Sequence, residues 1–397
     1  MTDTAHRQDE EQQGQQRHLR TRDRIRSASS KRSIFLLVVV AMLLTIGLGA
    51  MLSASSVVSI KANSGQFQLF TRQVMWVGLG MAALVIAAFV PYRFWERVAL
   101  PVYVITVIGL LVTMMIGDTR GGATRWIVVG PITIQVAEFA KFATLSLLAA
   151  AITKKGALLS DIRHVVMPVF AILGTVTVLL LAQPDFGNIL LIVVPAFIML
   201  AASTVPLRFV FGLGALGALA MTSLAMSADY RKARLLGFLN PFENAQGSGL
   251  QAVQSMVALG SGGLFGVGLG QSRARWSWLP NAHTDFIFAI IGEETGFAGA
   301  FIVIMLFALL AAVGVSIAYR APEGYGRLLA IGIVAWLSVQ ALVNIGGVVA
   351  VLPITGVPLP FISNGGNAML VNLFAIGVLL SISRASDAAG ADPSDPS

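Results

Sequence analysis

Apolar residues fall in long runs along most of the chain, with polar connections between them. Ten such runs are centred near residues 45, 82, 108, 145, 173, 195, 216, 300, 339 and 375. A helix needs roughly 20 apolar residues to cross the hydrocarbon core with every backbone polar group paired. The short alternating segments of a transmembrane β-barrel are absent from the sequence. The pattern therefore predicts an all-α polytopic membrane protein with ten transmembrane helices.

The polar segments predict how the rest of the chain is organised. Residues 1–33 are rich in Gln, Arg and acidic side chains, which is typical of a disordered cytoplasmic tail. The first apolar run, at 34–52, is longer than a signal-peptide core and is interpreted as the first span. We expect a ten-helix membrane domain at 34–385, with an extracytoplasmic loop between helices 7 and 8 at about 227–285. Residues 386–397 are predicted to form a short cytoplasmic tail.

The distribution of basic residues predicts the orientation. Basic residues cluster just before the first run, at Arg20, Arg22, Arg24, Arg26, Lys31 and Arg32. The positive-inside rule places this side in the cytoplasm, and an even number of spans places both termini there. The net charge of +8 partly reflects this bias, and without any nucleic-acid-binding motif we expect no nucleic-acid partner. The absence of cysteine excludes disulfides and thiol chemistry.

The long loop at 227–285 is unusually basic for an outer segment, because it holds Arg231, Lys232, Arg234, Arg273 and Arg275. The outer connection between the third and fourth spans adds Arg120 and Arg125. Arginine binds phosphate through its bidentate fork, so these residues favour an anionic ligand. Lipid headgroups, or pairing with Asp118 and Glu243, explain the same charges equally well.

Two further patterns lie within this loop. Apolar residues at Leu250, Val253, Met256, Val257 and Leu264 follow helical spacing, which predicts a short amphipathic or re-entrant helix. The glycine-rich stretch at 260–270 has neither a preceding strand nor a following Gly-Lys-Ser/Thr, so a nucleotide site is disfavoured. Close backbone packing and N–H groups facing a pyrophosphate both remain open for it.

Ionisable residues inside predicted spans are candidates for function. Glu138 and Lys141 lie three residues apart on one helix face, where a buried pair is the simpler interpretation. Glu293 lies about 80° around its helix from Asp285 and could reach the same cavity. Asp185 stands between proline and a Phe-Gly pair, and is most simply a turn residue.

Asp285 stands where the polar loop ends and an apolar helix begins, with His283 as a polar neighbour. A carboxylate there could act as a general base on a sugar hydroxyl or bind a divalent cation. An N-cap of the following helix is an equally ordinary role. Motifs for covalent hydrolase and zinc chemistry are absent from the sequence.

Several motifs, in this order, resemble a known family across nearly the whole membrane part. They are Gly122-Ala123-Thr124-Arg125-Trp126, Gln135 to Lys141, Pro184-Asp185-Phe186-Gly187, Gly249-Leu250-Gln251 to Ser255, Gly266 to Gly270, Leu279-Pro280 to Glu294, and Leu352 to Ser363. The chain resembles the SEDS proteins, the FtsW and RodA group of bacterial cell-wall polymerases.

The resemblance implies a glycosyltransferase that polymerises lipid II outside the cytoplasmic membrane. Its essential aspartate falls on Asp285, which would activate the acceptor hydroxyl directly or with a divalent cation (Mg or Mn). Arg231, Arg234, Arg273 and Arg275 would stabilise the leaving pyrophosphate. The predicted substrate-binding set is completed by Gln251, Ser255, His283, Arg125, Lys141 and Glu138.

The sequence also departs from the family pattern at several positions. Gln135-Val136-Ala137-Glu138 lacks a usual proline and hydroxyl, and Asn281 replaces a usual acid. Ser363-Asn364-Gly365-Gly366-Asn367-Ala368 differs from the usual serine-rich segment. The Ser-Ala-Ser-Ser end of the first span and the long charged tail favour FtsW over RodA. That subtype implies septal wall synthesis in the bacterial cytoplasmic membrane, with lipid II, membrane lipid, a class B penicillin-binding transpeptidase and other divisome proteins as partners.

Two alternatives remain open at this stage. A lipid II flippase could use the same basic outer face, although it would more naturally keep its charges at mid-depth. A non-catalytic scaffold that recruits the transpeptidase would leave Asp285 as a helix cap.

Overall fold

The protein is described by a computed structural model at residues 31–54, 67–120, 123–130, 132–155, 167–226, 238, 241–243, 245, 247, 249–274, 284–322 and 324–389. Helices α1 to α4 are Lys31–Ala54, Gln68–Phe89, Tyr92–Ile116 and Val136–Lys155. Helices α5 to α7 are Met167–Ala182, which includes a π-helical turn at Phe170–Gly174, Phe186–Ala201 and Leu207–Met226. Helices α8 to α11 are Leu250–Ser261, Ile287–Arg320, Tyr325–Val348 and Gly366–Ala389.

The predicted helical membrane class is confirmed. Among the described residues seven helices are long and apolar enough to cross a membrane: α1, α2, α3, α4, α9, α10 and α11 up to Ser386. Helices α5 and α6 and the first part of α7, Leu207–Gly217, are apolar but shorter. All ten predicted centres fall inside these ten helices, yet ten complete crossings stay a prediction. Helix α6, for example, has 16 residues and a length of only about 24 Å.

The prediction of a purely α-helical chain is wrong in one place. Between α3 and α4 the chain forms a three-stranded antiparallel sheet of β1 (Asp118–Arg120), β2 (Ala123–Val129) and β3 (Ile132–Ile134). Strands β2 and β3 are rich in β-branched residues, which favour strands. Gly130 lies between them with a φ of +58°, a value that glycine adopts without strain.

The helices pack around a core of α4, α6 and α10, and α2 pairs with α11 along its length. Ser33 in α1 and Ser383 in α11 are 3.1 Å apart between their hydroxyl oxygens, so the two ends of the described chain lie together. The opposite end of the bundle, here called the distal end, carries the sheet, the turn at 183–185, helix α8 and the segment 349–365. The predicted tails at 1–33 and 386–397 lie almost wholly outside the described residues, although α1 already begins at Lys31 and α11 continues to Ala389.

Helix α9 is broken near its distal end. Gly296 has φ +71° and ψ −166°, so the helix consists of a short distal part, 287–295, and a long part, 297–320. Asp285 immediately precedes the short part, which therefore positions the candidate site.

Candidate active site

Asp285 lies in the turn that leads into α9. The helix begins at Ile287, and its N-cap residue is Phe286, which makes no side-chain capping hydrogen bond. A capping side chain belongs at the N-cap position, where it accepts from the next turn. Asp285 stands one residue ahead of that position. Helix boundaries are defined only to within one or two residues, so the N-cap role of Asp285 stays an alternative prediction.

The Asp285 side chain borders a narrow cleft of about 10 Å³ at the distal end. The walls come from the turn before α9, the last turns of α10 and the segment 354–357: Asp285, Phe286, Val343, Asn344, Gly347, Val348, Ile354, Thr355, Gly356 and Val357. Gly356 has a φ of +73°, and a methyl group added to it would lie 3.7 Å from Oδ2 of Asp285. The glycine therefore brings the backbone close to the carboxylate.

Asn344 in α10 fixes the backbone of Asp285. Its Nδ2 atom donates to the carbonyl oxygens of Asp285 and Val357, both at 2.8 Å. The side chain is 5% exposed, so these bonds form away from bulk solvent. The sequence analysis missed this residue. The sequence did carry a signal for it, because the polar side chain of Asn344 lies within an apolar helix and polar groups in spans need partners.

A buried polar chain continues from this cleft into the core. Gln340 Nε2 donates to the carbonyl of Pro358 at 2.9 Å, and Trp336 Nε1 donates to Gln340 Oε1 at 2.9 Å. The Lys141 ammonium lies 5.0 Å from the Trp336 ring centroid and 2.7 Å from Glu138 Oε2. Side chains of α10 thus connect the segment beside Asp285 with the charged pair in α4.

Glu138 and Lys141 form the buried pair that their spacing suggested, with 3% and 0% of the side chains exposed. Neither residue lines the cleft at Asp285. Their placement supports a structural role, because each charge is neutralised inside the bundle by the other. The predicted substrate-binding role of these two residues has no support from this geometry.

Arg125 in β2 reaches the turn before α6. Its guanidinium donates to the carbonyls of Gln183 and Pro184 and lies 3.8 Å from Asp185 Oδ1. Asp185 is the N-cap residue of α6 and accepts from the backbone N of Asn188, which confirms it as a turn residue. Arg125 is 29% exposed, and its contacts attach the sheet to the bundle.

The turn at Asp185 also adjoins the cleft. A methyl group added at Gly187 would lie 2.7 Å from Val357 Cγ2 and 3.1 Å from the Thr355 carbonyl oxygen. Thr355 and Val357 line the cleft, so the start of α6 packs against the wall of the cleft. Only a residue without a side chain fits at this close approach.

Helix α8 confirms the short helix predicted in the long connection, although its buried face is different. Ala252, Ser255 and Ala258 face inward, whereas Val257 is 58% exposed. Small side chains allow α8 to pack closely on α9 and α10. Ser255 is fully buried and its hydroxyl contacts the carbonyls of Ala252 and Val348, both at 2.9 Å.

Of the predicted substrate-binding residues in α8, Ser255 is thus held in a structural contact. Gln251 is partly exposed at the start of the helix. The structure therefore brings Ser255 close to the cleft through Val348, without presenting its hydroxyl at the surface.

Glu293 has a different role from the one its angular position suggested. Its carboxylate accepts from Ser272 Oγ at 2.5 Å, Arg273 N at 3.0 Å and Ala274 N at 3.2 Å, with Ser261 Oγ at 3.5 Å. The residue is 2% exposed. The expectation that Glu293 reaches the cavity of Asp285 is not met, because its acceptor positions are used in holding residues 272–274. Its neighbour Glu294 accepts from the Ser53 hydroxyl of α1.

The glycine-rich stretch packs backbone to backbone against the break in α9. Val267 N and Gly268 N donate to the carbonyls of Glu293 and Glu294 at 3.0 and 3.1 Å. A methyl group at Gly266 would lie 2.1 Å from the Glu294 carbonyl oxygen. Of the two roles left open for this stretch, close packing is the one that these contacts support.

The basic cluster is only partly described. Arg231, Arg234, Arg275 and His283 lie outside the described residues. Arg273 has an exposed side chain and a backbone N–H bound to Glu293. Among the described residues no three His, Asp or Glu side chains converge to hold a metal. Mg²⁺ often takes only one or two protein carboxylates together with substrate phosphates, and the single carboxylate of Asp285 suits that mode.

Together these features define an integral membrane protein of apolar helices, with a carboxylate-bearing cleft at one end of the bundle. The chain matches the family model for FtsW, RodA and SpoVE, described as cell cycle proteins, over residues 34–388. The chain belongs to this family, so the resemblance found in the sequence is confirmed.

Individual relatives agree with this assignment. Stage V sporulation protein E of Bacillus subtilis is 37% identical over 353 residues, which cover 88% of this chain and 96% of that protein. A probable peptidoglycan glycosyltransferase FtsW of Geobacter metallireducens is 37% identical over 352 residues, covering 88% and 94%. The second of these relatives is thus named as a probable peptidoglycan glycosyltransferase.

Solved structures agree at the level of the fold. A chain of a peptidoglycan synthase complex, described as coordinating polymerization and crosslinking, has a TM-score of 0.73 at 27% identity, with 88% of this chain and 97% of that chain covered. The rod shape determining protein RodA of Thermus thermophilus has a TM-score of 0.66 at 27% identity, with 88% and 95% covered.

Proposed function

We propose that this protein is a peptidoglycan glycosyltransferase that polymerises lipid II into glycan strands at the outer face of the cytoplasmic membrane. The observation that carries the proposal is the position of Asp285, whose carboxylate borders a cleft at the distal end of a membrane bundle. The FtsW relatives named as probable peptidoglycan glycosyltransferases support the same reaction class. In this proposal all ten helices cross the membrane, with both termini cytoplasmic and the loop at about 227–285 outside.

In the proposed reaction Asp285 acts as a general base. Its carboxylate takes the proton of the acceptor sugar hydroxyl, and the hydroxyl oxygen forms a bond to the anomeric carbon of the donor. The bond from that carbon to the lipid pyrophosphate breaks, the pyrophosphate leaves with the bonding electrons, and the configuration inverts. The carboxylate must be held in place for this step, and Asn344 would contribute by binding the backbone carbonyl of Asp285.

The leaving pyrophosphate develops negative charge that nearby cations would stabilise. We assign this role to Arg231, Arg234, Arg273 and Arg275 of the long loop. A divalent cation bound at the site would be held by Asp285 and substrate phosphate, and would supply Lewis-acid polarisation.

We further propose a class B penicillin-binding transpeptidase as partner and septal synthesis as the setting. The similarity to a chain of a synthase complex that combines polymerization and crosslinking supports the partner. The sequence features that favour FtsW over RodA support the septal setting, with other divisome proteins present.

The test compares wild type with Asp285→Asn, with and without the transpeptidase, by detecting glycan polymer made from purified lipid II. Asparagine keeps the shape of the side chain but cannot accept the proton, so we expect a loss of about 10²–10⁴-fold in rate. Asp118→Asn, the same change on β1 of the distal sheet, is the matched control and should retain activity.

Equal polymer formation by Asp285→Asn would refute the catalytic assignment. If wild type with its partner makes no polymer, translocation of lipid II between leaflets of a vesicle should be measured next. Translocation would identify a flippase, and its absence would leave the scaffold as the better account.

A further inference from the structure

A second cavity lies far from Asp285, towards the end of the bundle that holds the chain ends. It opens between the last turns of α6 and α9 and the first turns of α10, and has a volume of about 350 Å³. Apolar side chains such as Ile198, Val315 and Ile331 form most of its walls. This volume is in the range of small-molecule sites.

One cationic side chain enters this apolar cavity. Arg327, in the first turn of α10, lines it, and its buried Nε atom has no hydrogen-bond partner among the described residues. Leaving a buried charged donor without an acceptor is unfavourable, so the position calls for an acceptor that the described chain does not supply. The guanidinium carbon lies 5.8 Å from the ring centroid of Tyr319, which holds it at the mouth.

A second polar group, Ser338, lies deeper in the cavity. Its hydroxyl is also buried without a partner in the described chain. Serine in a helix can turn its hydroxyl towards the carbonyl four residues earlier, so it has a local alternative. Arg327 lies in the first turn of its helix and has no such local acceptor, so the cavity is assigned from Arg327 rather than from Ser338.

The depth of the cavity matches one leaflet of a bilayer. Arg327 and Ser338 are eleven residues apart on one helix, which corresponds to about 16 Å along its axis. Half of the hydrocarbon core is about 15 Å. In the proposed topology the arginine and Tyr319 would lie at the level of headgroups and interfacial aromatic residues, with the apolar walls along the acyl region.

We propose that this cavity binds an anionic phospholipid of the cytoplasmic leaflet, with its phosphate on Arg327 and one acyl chain along Ile331 towards Ser338. Basic pockets between transmembrane helices on the cytoplasmic side suit anionic headgroups. A hydrocarbon chain without a headgroup, or an apolar peptide helix, would offer no acceptor to the buried Nε atom of Arg327. The inference rests on the membrane topology of the proposed function, which places this end in the cytoplasm, but not on the polymerase reaction at the other end of the bundle.

The experiment is native mass spectrometry of the full chain, delipidated and then titrated with phosphatidylglycerol or phosphatidylcholine of the same chain length. We expect one phosphatidylglycerol to be retained preferentially. Arg327→Gln should weaken it about tenfold or more, as expected for loss of a charge-assisted contact. Arg320→Gln, at an exposed arginine of the same end, is the matched control and should bind as wild type does.

A second variant, Ile331→Trp, keeps the charge and fills the cavity, so it should also reduce retention. Unfolding temperatures confirm that each variant is folded. Equal retention of both lipids, or unchanged binding in Arg327→Gln and Ile331→Trp, would overturn the proposal. Displacement of the lipid by free inorganic phosphate or by the transmembrane helix of the transpeptidase would also overturn it, since the cavity would then serve that ligand. Preference for undecaprenyl phosphate over phosphatidylglycerol would reject the phospholipid as its occupant.

Discussion

Two acids at the distal end of α9, eight residues apart, have contrasting surroundings. Glu293 is 2% exposed, and its two oxygens accept from three near-ideal donors of residues 272–274. Asp285 borders a cleft, and its position is fixed through its backbone carbonyl by Asn344. The contrast teaches that surroundings, a set of buried donors for Glu293 and a cleft for Asp285, distinguish a structural acid from a candidate catalytic one.

The largest effect on stability is expected from removing the buried carboxylate of Glu293. Glu293→Ala leaves Ser272, Arg273 and Ala274 with donors that have lost their acceptor, at about 1–3 kcal/mol each. We expect a loss of about 3 kcal/mol or more in stability, seen as early thermal unfolding in detergent. Asp285→Asn should change stability by less than about 1 kcal/mol. A Glu293→Ala protein as stable as Asp285→Asn would contradict the comparison.

The next effect concerns the glycine-rich packing beside Glu293. In Gly266→Ala the added methyl group would lie 2.1 Å from a backbone oxygen, and the φ of +81° is itself unfavourable. We expect a loss of about 2–4 kcal/mol. Gly263→Ala is the matched control, because its φ is +55° but nothing lies within 4 Å. Its cost should be limited to about 1–2 kcal/mol of backbone strain. Equal unfolding temperatures for the two variants would show that the close approach is unimportant.

A smaller effect is expected at the cleft. Asn344→Ala removes the donor to Asp285 and Val357, so the carboxylate loses its fixed position. We expect kcat for glycan polymerisation to fall about tenfold with KM little changed, because orientation contributes mainly to the chemical step. Gln340→Ala likewise removes two buried bonds, one to the Pro358 carbonyl and one from Trp336, without touching Asp285. If the two variants lose kcat equally, Asn344 has no special positioning role.

The smallest effect is expected at Arg125. Its bonds to the turn at Asp185 are partly exposed, so Arg125→Gln should cost about 0.5–1 kcal/mol. Addition of salt should reduce the difference from wild type. A raised KM for lipid II with unchanged stability would instead return Arg125 to the substrate-binding set.

The positions of the helices were predictable because their apolar length is a local property of the sequence. The sheet at 118–134 was missed, although its Trp-Ile-Val-Val and Ile-Thr-Ile runs carried a strand signal. Asp285 as a candidate was predictable from the change in polarity at a helix start. The partners of Asn344 and Glu293 were not, because they join residues up to 59 positions apart and depend on how the chain folds back.

The break at Gly296 also divides α9 into a part long enough to cross a membrane and a short part that carries Asp285 at its start. A continuous helix of 34 residues would be about 51 Å long, whereas the hydrocarbon core measures about 30 Å. Residues 297–320 alone extend about 36 Å, which is enough for the crossing. The distal part, 287–295, is therefore not needed for the crossing, and its side chains pack inside the bundle instead. Under the proposed function, this rigid turn would hold Asp285 within about 16 Å of Gly296 along the axis, whatever the thickness of the membrane.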